Sequence, residues 1–307
     1  MKIGFSLPNI GPIGTAEAIT KVAQRAESLG YSSLWTIERL LYPVKLQTPY
    51  PATPDGHLPE IYRRVLDPLD ALTYVAAQTK KIRLGTSVLD IPYHNPVVLA
   101  RRLSTIDVLS NGRLSVGFGL GWSKDEMDAT GADMKTRGAL ADEFLPLLKA
   151  IWTTNPVEFR GKFFTVPKSY IDLKPVQKPH PPIYLGAFVP PALKRLARLA
   201  DGWIPVMLPV PAMEQMFGSI RQMAREAGRD PSTLRLLVHG FVEIRDKPLG
   251  ADRPIFCGSL EQISEDVRAC AKIGADEISF DPAFAPGGQS LDHWLSLLEQ
   301  LKGMMTV

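Results

Sequence analysis

Two features of the sequence predict a (β/α)8 barrel, an α/β fold of the TIM-barrel type. Short apolar segments alternate with helical patterns about eight times along the 307 residues, and repeated strand-then-helix units indicate parallel strands joined by helical crossovers. Several apolar segments are continuous, which is typical of parallel strands buried on both faces. Eight such units in a chain of this length favour a closed barrel over an open sheet. We expect residues 1–307 to form one domain.

The helices between the predicted strands have recognisable ends. Gly30 suits the left-handed residue that follows a helix, and Asp67 and Asn95 each precede a proline, as N-cap residues often do. Ser259 and Gln262 have the spacing of a capping box. The predicted strands are residues 3–7, 33–36, 83–89, 114–118, 183–185, 203–207, 234–242 and 277–280.

Two segments fit no strand–helix unit. Residues 41–63 hold five prolines and follow the second strand, and residues 155–182 hold six prolines and lie between the fourth helix and the fifth strand. Long irregular segments in a compact domain are usually functional or disordered. Because both contain several aromatic residues, we expect ordered insertions near the active site.

Composition excludes several classes of function. The net charge of +3, from 35 basic and 32 acidic residues, is too small to indicate nucleic acid or an acidic membrane as a partner. Two cysteines exclude a disulfide framework, and the five histidines lack zinc-site spacing, so we expect no metal site. No specific Ser-His-Asp set can be assembled from the sequence. Without a signal peptide or a membrane-length apolar segment, we expect a cytoplasmic protein.

Two glycine-containing loops follow predicted strands on the face where barrel enzymes bind substrates. The fourth strand leads into Gly119, Leu120, Gly121 and Trp122, and the fifth into Gly186-Ala187 and a helix. The glycines either let the strand end turn or bring backbone close to a flat ring or phosphate, with Trp122 as a wall. A helix N-terminus suits a phosphate, although any strand–helix turn has this shape.

The sequence resembles the luciferase-like monooxygenase superfamily, particularly its coenzyme F420-dependent oxidoreductase branch. The matching segments are GTSVL at 85–89, PYHNP at 92–96, SNGRL at 110–114, GFGLGW at 117–122, RG-x-x-x-DE at 137–143 and ADGW at 200–203. The resemblance implies a flavin-type coenzyme at the carboxyl end of the barrel. It also implies a cis peptide between Ser87 and Val88 against the central ring of the coenzyme, and a phosphate against Gly186 and Ala187, where relatives have two glycines.

The resemblance also implies where catalytic residues lie. Relatives carry an acidic residue and a histidine after the second strand, whereas this chain has Glu38 and Arg39. Arginine stays protonated near neutral pH, so Arg39 is expected to anchor an anion or polarise a carbonyl, or else to form a surface ion pair. His94, after the third strand, titrates near neutrality and is the substitute candidate for a proton donor, although a lone histidine is often structural.

The function that this resemblance implies is F420-dependent hydride transfer to or from a small organic substrate. A monooxygenase that depends on reduced FMN is the alternative within the superfamily, and it would need a separate reductase as a partner. A non-catalytic relative that binds flavin is the alternative from another class. We also expect a homodimer.

Overall fold

The chain folds into a closed barrel of eight parallel strands, which confirms the predicted fold class. The computed structural model describes residues 1–306, with side chains for residues 1–304. Each strand pairs with its neighbours in chain order, and the last pairs with the first, Lys2 beside Glu277 and Phe5 beside Phe280. The strands are β1 (Lys2–Ser6), β2 (Ser33–Thr36), β3 (Arg83–Asp90), β4 (Leu114–Gly119), β5 (Ile183–Leu185), β6 (Gly202–Trp203), β7 (Arg235–Phe241) and β8 (Glu277–Asp281).

Helices surround the barrel between successive strands. One short helix, α4, had not been expected; it follows β4 and precedes the long helix that leads to β5. The helices are α1 (Ala16–Leu29), α2 (Pro68–Gln78), α3 (Pro96–Leu109), α4 (Lys124–Thr130), α5 (Arg137–Thr153), α6 (Pro190–Leu199), α7 (Val210–Glu226), α8 (Leu260–Lys272) and α9 (Leu291–Leu301).

The helix ends have the predicted capping interactions. The side chains of Asp67 and Asn95 accept hydrogen bonds from the first turns of α2 and α3, and a cap of this kind contributes about 1 kcal/mol. Ser259 and Gln262 form both bonds of a capping box at α8. Gly30 adopts a φ of 89° after α1, where a residue with a Cβ would be strained.

The first insertion lies at the mouth of the barrel, as expected, because the ring of Tyr50 packs against Trp122 in the loop after β4. The second does not, and this expectation was wrong. It forms an antiparallel pair, Val157–Arg160 with Thr165–Ser169, whose connecting N–H groups donate to Glu143 on α5. Its later part donates from the Gln177 side chain to the backbone oxygen of Leu114, at the start of β4.

The interior of the barrel is apolar in the middle and polar towards both ends. Trp35, Ile204 and Leu237 form the middle layer. Towards the amino ends of the strands, the Trp35 indole N–H donates to Ser33 at 2.7 Å, and burial raises the pKa of Glu277. Polar side chains return at the carboxyl ends of the strands. Among residues 1–306, no helix has the length and apolar character needed to cross a membrane.

Candidate active site

A bulge in β3 shapes the centre of the barrel mouth. The Ser87–Val88 peptide is cis, as expected from the sequence, and the pairing of β3 with β4 shifts register between Thr86 and Leu89. The bulge explains the glycines of β4. A Cβ on Gly117 would overlap the carbonyl oxygen of Thr86, and one on Gly119 would lie 2.7 Å from Val88. These glycines are therefore required by close packing against β3, rather than by a turn at the strand end.

Gly186 differs from the β4 glycines because its Cβ direction is open. The nearest atoms to a Cβ added there lie 3.8 Å or more away. Gly186 and Ala187 line a small cavity with Gly119 and Leu120, about 10 Å³ in volume, which is the space of roughly one water molecule. A larger group such as a phosphate would therefore lie across its entrance.

The N-terminus of α6 is a weaker anion site than the sequence indicated. Its first two residues, Pro190 and Pro191, have no N–H to donate. A positive charge stands nearby instead: Arg195 lines the same cavity and pairs with Asp142 on α5 at 3.0 Å. Its guanidinium also donates to the backbone oxygen of Gly138. Gly138 and Asp142 of the RG-x-x-x-DE motif therefore orient Arg195, a residue that sequence reasoning missed.

The structure brings Glu38 and His94 together, although 56 residues separate them along the chain. Nε2 of His94 lies 2.9 Å from Oε1 of Glu38, and their side chains are 17% and 4% exposed. The other carboxylate oxygen of Glu38 accepts the backbone N–H of Asp90 at 2.7 Å. This arrangement orients the imidazole and can hold a proton at the pocket wall.

Asp90, at the end of β3, is a further acidic group that sequence reasoning missed. Its Oδ1 accepts the N–H of Gly121 at 2.8 Å. Desolvation, reinforced by the negative charges of Glu38 and Glu126, raises the pKa of Asp90 to about 7. Burial, with the charges of Asp90 and Glu126, also raises the pKa of Tyr93. Carboxylates crowded in this way resist full ionisation.

Arg39 lies inside the wall of the site, so the alternative of a surface ion pair is wrong. Its Nε lies 3.1 Å from Glu126 Oε1, with the two side chains 5% and 3% exposed. The guanidinium packs over the rings of Trp122 and Tyr62, at 4.6 and 5.4 Å from their centres. Its Nη2 has no hydrogen-bond partner among the described side chains and backbone. The expectation that Arg39 anchors an anion stays a prediction.

A continuous arc of aromatic rings surrounds one side of the mouth. Neighbouring ring centres lie 4.9 to 5.7 Å apart along the arc. Such contacts enclose an apolar space and leave polar tips for orientation. In order, the arc consists of Trp122, Tyr50, Tyr62, Phe284, Phe241 and the imidazole of His239.

The arc ends at a Ser-His-Asp arrangement, which the sequence analysis had not identified. Ser87 Oγ lies 3.0 Å from Nδ1 of His239, and Nε2 of His239 lies 3.4 Å from Asp281 Oδ2. His239 lies in β7 after three buried apolar residues, Leu236–Val238, and Asp281 lies at the end of β8. The sequence signal that could have pointed to this arrangement was a polar residue within a buried strand. Elsewhere in residues 1–304, no group of three or more His, Cys, Asp or Glu side chains is arranged to hold a metal.

The chain matches a family model described as luciferase-like monooxygenase over residues 1–255. An uncharacterised protein of Mycobacterium tuberculosis is 37% identical over 210 residues, which are 68% of this chain and 74% of that protein. An F420-dependent glucose-6-phosphate dehydrogenase of Amycolatopsis mediterranei is 30% identical over 212 residues, 66% of this chain and 57% of the dehydrogenase.

Solved structures share the fold at lower identity. An F420-dependent secondary alcohol dehydrogenase, solved with an F420–acetone adduct, has a TM-score of 0.78 and 16% identity, with 99% of this chain and 98% of that one aligned. The oxygenating constituent of 3,6-diketocamphane monooxygenase from Pseudomonas putida, solved with FMN, has a TM-score of 0.75 and 16% identity over 99% and 97% of the two chains. At this identity the likeness shows the fold alone.

Proposed function

The chain belongs to the luciferase-like monooxygenase family, and from that premise we propose that it is a coenzyme F420-dependent oxidoreductase acting on a small organic substrate. Membership supports a flavin-type redox reaction. The 30% identical F420-dependent dehydrogenase supports F420 as the coenzyme. The coenzyme supplies the hydride chemistry when bound, and the protein supplies binding, orientation and a shielded pocket.

One observation carries the proposal: β4 and β5 carry glycines at their carboxyl ends, next to the β3 bulge. Residues of β3 at the bulge occupy the space where Cβ atoms on Gly117 and Gly119 would lie, whereas the corresponding space at Gly186 is open. A surface of this kind fits a flat ring lying against Ser87 and Val88. The residues proposed to contact the coenzyme are therefore Ser87, Val88, Gly119, Leu120, Gly121, Trp122, Gly186 and Ala187.

The aromatic arc and the acidic residues beside it suit an organic substrate. The aromatic arc offers an apolar enclosure, and the pair of Glu38 and His94 stands where the third strand ends. We propose that this pair exchanges a proton with the substrate, because an imidazole held by a carboxylate can both accept and release one. Arg39 holds Trp122 and Glu126 in place and carries a positive charge into the same wall.

Equilibrium titration with F420 and with FMN tests the choice of coenzyme. We expect F420 to bind with a Kd near or below about 1 µM, which corresponds to roughly 8 kcal/mol, and FMN to bind at least about tenfold more weakly. Preference for FMN would support the monooxygenase alternative, with a separate reductase as the partner that supplies reduced coenzyme. Binding of neither would contradict the proposal. Light scattering of the same samples tests the expected homodimer.

A further inference from the structure

The Ser87–His239–Asp281 chain connects the barrel mouth to a buried carboxylate. Ser87, at the cis peptide of the bulge, is half-buried and open towards the mouth, whereas His239 and Asp281 are 5% and 2% exposed. The three side chains come from β3, β7 and β8. Of the three residues, Ser87 is therefore the most accessible to a ligand.

The surroundings of His239 determine where its protons lie. Asp281 faces Nε2, and a carboxylate beside one ring nitrogen favours a proton on that nitrogen. Nδ1 is then the acceptor for the Ser87 hydroxyl in the neutral ring, and a donor to Ser87 Oγ in the imidazolium. Oδ1 of Asp281 accepts the N–H of Ala283 at 2.9 Å, which holds the carboxylate in place.

Among residues 1–304, the side chains that contact the ring nitrogens of His239 are those of Ser87 and Asp281. The ring of Phe241 packs edge-on against the imidazole at 5.4 Å. Near Asp281 lie Tyr50 and Tyr62, whose pKa values are raised by burial; the charge of Arg39 opposes this shift and that of Asp281 adds to it. The charged neighbour that faces the imidazole is therefore Asp281, at 3.4 Å from Nε2.

We propose that the Ser87 hydroxyl exchanges a proton with the ring of the bound coenzyme, and that His239 and Asp281 act through Ser87 to supply and recover that proton. The proposal rests on the proposed function, which places the coenzyme ring against Ser87. Addition of a hydride brings two electrons and one proton to an oxidised flavin-type ring and leaves it one unit more negative. Ser87 then gives its proton to a ring heteroatom and takes one from Nδ1 of the imidazolium.

The proton balance closes over a full cycle. The forward transfer leaves the coenzyme ring neutral, Ser87 unchanged and His239 as the neutral imidazole with its proton on Nε2. When the reduced ring gives its hydride to a substrate, the heteroatom returns its proton to Ser87, and Ser87 returns one to Nδ1. Asp281 exchanges no proton in this cycle and orients the imidazole, as the aspartate of a Ser-His-Asp triad does.

NMR of isotope-labelled histidine ring nitrogens tests the chain directly. Wild-type protein is compared with oxidised F420, and with F420 reduced chemically beforehand, at one pH near neutrality. We expect the Nδ1 resonance of His239 to shift between the two complexes, and Ser87→Ala to abolish the shift. His180, which precedes β5 and packs against Trp152, is the internal control and its resonances should not shift. Identical His239 resonances in both complexes would overturn the proposal.

Binding measurements separate proton exchange from a merely structural role. We expect Ser87→Ala to keep the Kd for oxidised F420 within about threefold and to weaken binding of reduced F420 at least about tenfold, because without the hydroxyl the reduced ring receives no proton and keeps its added negative charge inside the protein. Ser87→Thr, which keeps the hydroxyl, should restore most of this loss. The control is Ser104→Ala, which removes a buried hydroxyl on α3. An equal loss of affinity for oxidised and reduced F420 in Ser87→Ala would indicate a packing role alone and contradict the proposal.

The proposal and the proposed function fail in different ways. If neither F420 nor FMN binds, the proposed function fails and the proposed proton chain fails with it. NMR of the free protein still measures its histidine tautomers in that case. If F420 binds and His239 carries its proton on Nδ1 in both complexes, the proposed function stands and the proton chain is overturned. Asp281→Asn should shift the tautomer in the free protein, which checks the resonance assignment.

Discussion

Nε of Arg39 lies 3.1 Å from Oε1 of Glu126, in a pair of side chains that are 5% and 3% exposed. The same carboxylate oxygen accepts the backbone N–H of Leu40 at 2.7 Å. Glu126 therefore fixes both the side chain of Arg39 and the start of the first insertion. Because α4 carries Glu126 and its preceding loop carries Trp122, the pair connects the two loops that form one wall of the mouth.

Removing one partner of this pair should destabilise the fold. We expect Arg39→Ala to lower the free energy of unfolding by about 3–5 kcal/mol, since it leaves the Glu126 charge buried and unpaired. The double variant Arg39→Met with Glu126→Leu should lose less. Urea denaturation measures both. Arg160→Ala, which removes an exposed ion pair with Glu158, is the control and should change stability by less than about 1 kcal/mol. Wild-type stability of Arg39→Ala would contradict this role.

Ionisation of Asp90 should cost stability as the pH rises. Its native pKa, raised to about 7, exceeds the ordinary value of about 4 in the unfolded chain. The loss of stability through ionisation of Asp90 is absent below about pH 4, grows between about pH 4 and pH 7, and is complete above about pH 7. Asp90→Asn removes the charge and keeps an oxygen for the Gly121 N–H. The variant should therefore gain roughly 1–3 kcal/mol relative to wild type between about pH 4 and pH 8.

Ionisation of an exposed aspartate, Asp128, should change stability with pH in the opposite direction, so Asp128 serves as the control for Asp90. Hydrogen bonds from Lys124 and Gln47 lower the pKa of Asp128, so ionisation of Asp128 favours the folded state. The stability of Asp128→Asn relative to wild type should therefore fall as the pH rises. Urea denaturation at several pH values measures both variants. If Asp90→Asn followed the same downward trend as Asp128→Asn, the carboxyl of Asp90 would not be the crowded acid described above.

Gly186→Val should prevent coenzyme binding without unfolding the protein. A Cβ at this position meets no atom closer than 3.8 Å, so the fold tolerates it, while the branched side chain fills the entrance of the cavity. We expect F420 to bind at least about tenfold more weakly, a loss of about 1.4 kcal/mol, at an unchanged melting temperature. Gly218→Val, on α7 with open space around it, is the matched control. Wild-type affinity in Gly186→Val would place the coenzyme elsewhere, with Gly119–Trp122 as the next candidate.

The pH–rate profile should identify the group that exchanges a proton with the substrate. If His94 does so, His94→Ala removes one limb of the profile, and Glu38→Gln alters that limb because its carboxylate contacts Nε2 of His94. Arg39→Lys keeps the charge and should leave the limb in place. Profiles of kcat/KM for the three variants measure this. Full activity in all three would place the chemistry away from this wall.

The elements of the fold were predictable because their signals are local. Strand β2 has the predicted bounds, and the caps at Asp67, Asn95 and Ser259 form as expected. Each depends on residues within one turn or one strand. The cis bond at Ser87–Val88 was expected from resemblance to a family, and no rule of composition or periodicity would have indicated it. The bulge there in turn explains Gly117 and Gly119.

Which residues contact one another in the site depends on closure of the barrel. The sequence by itself determined that Glu38, Asp90 and Asp281 lie just after strands, since the predicted strand bounds place them there. It did not determine which of them meet. Ser87 and His239 are 152 residues apart and Arg39 and Glu126 are 87 apart, and such contacts depend on the stagger of eight strands and on the bulge of β3. Only the tertiary structure, which closes the sheet on itself and aligns these strand ends around one mouth, decides those pairs.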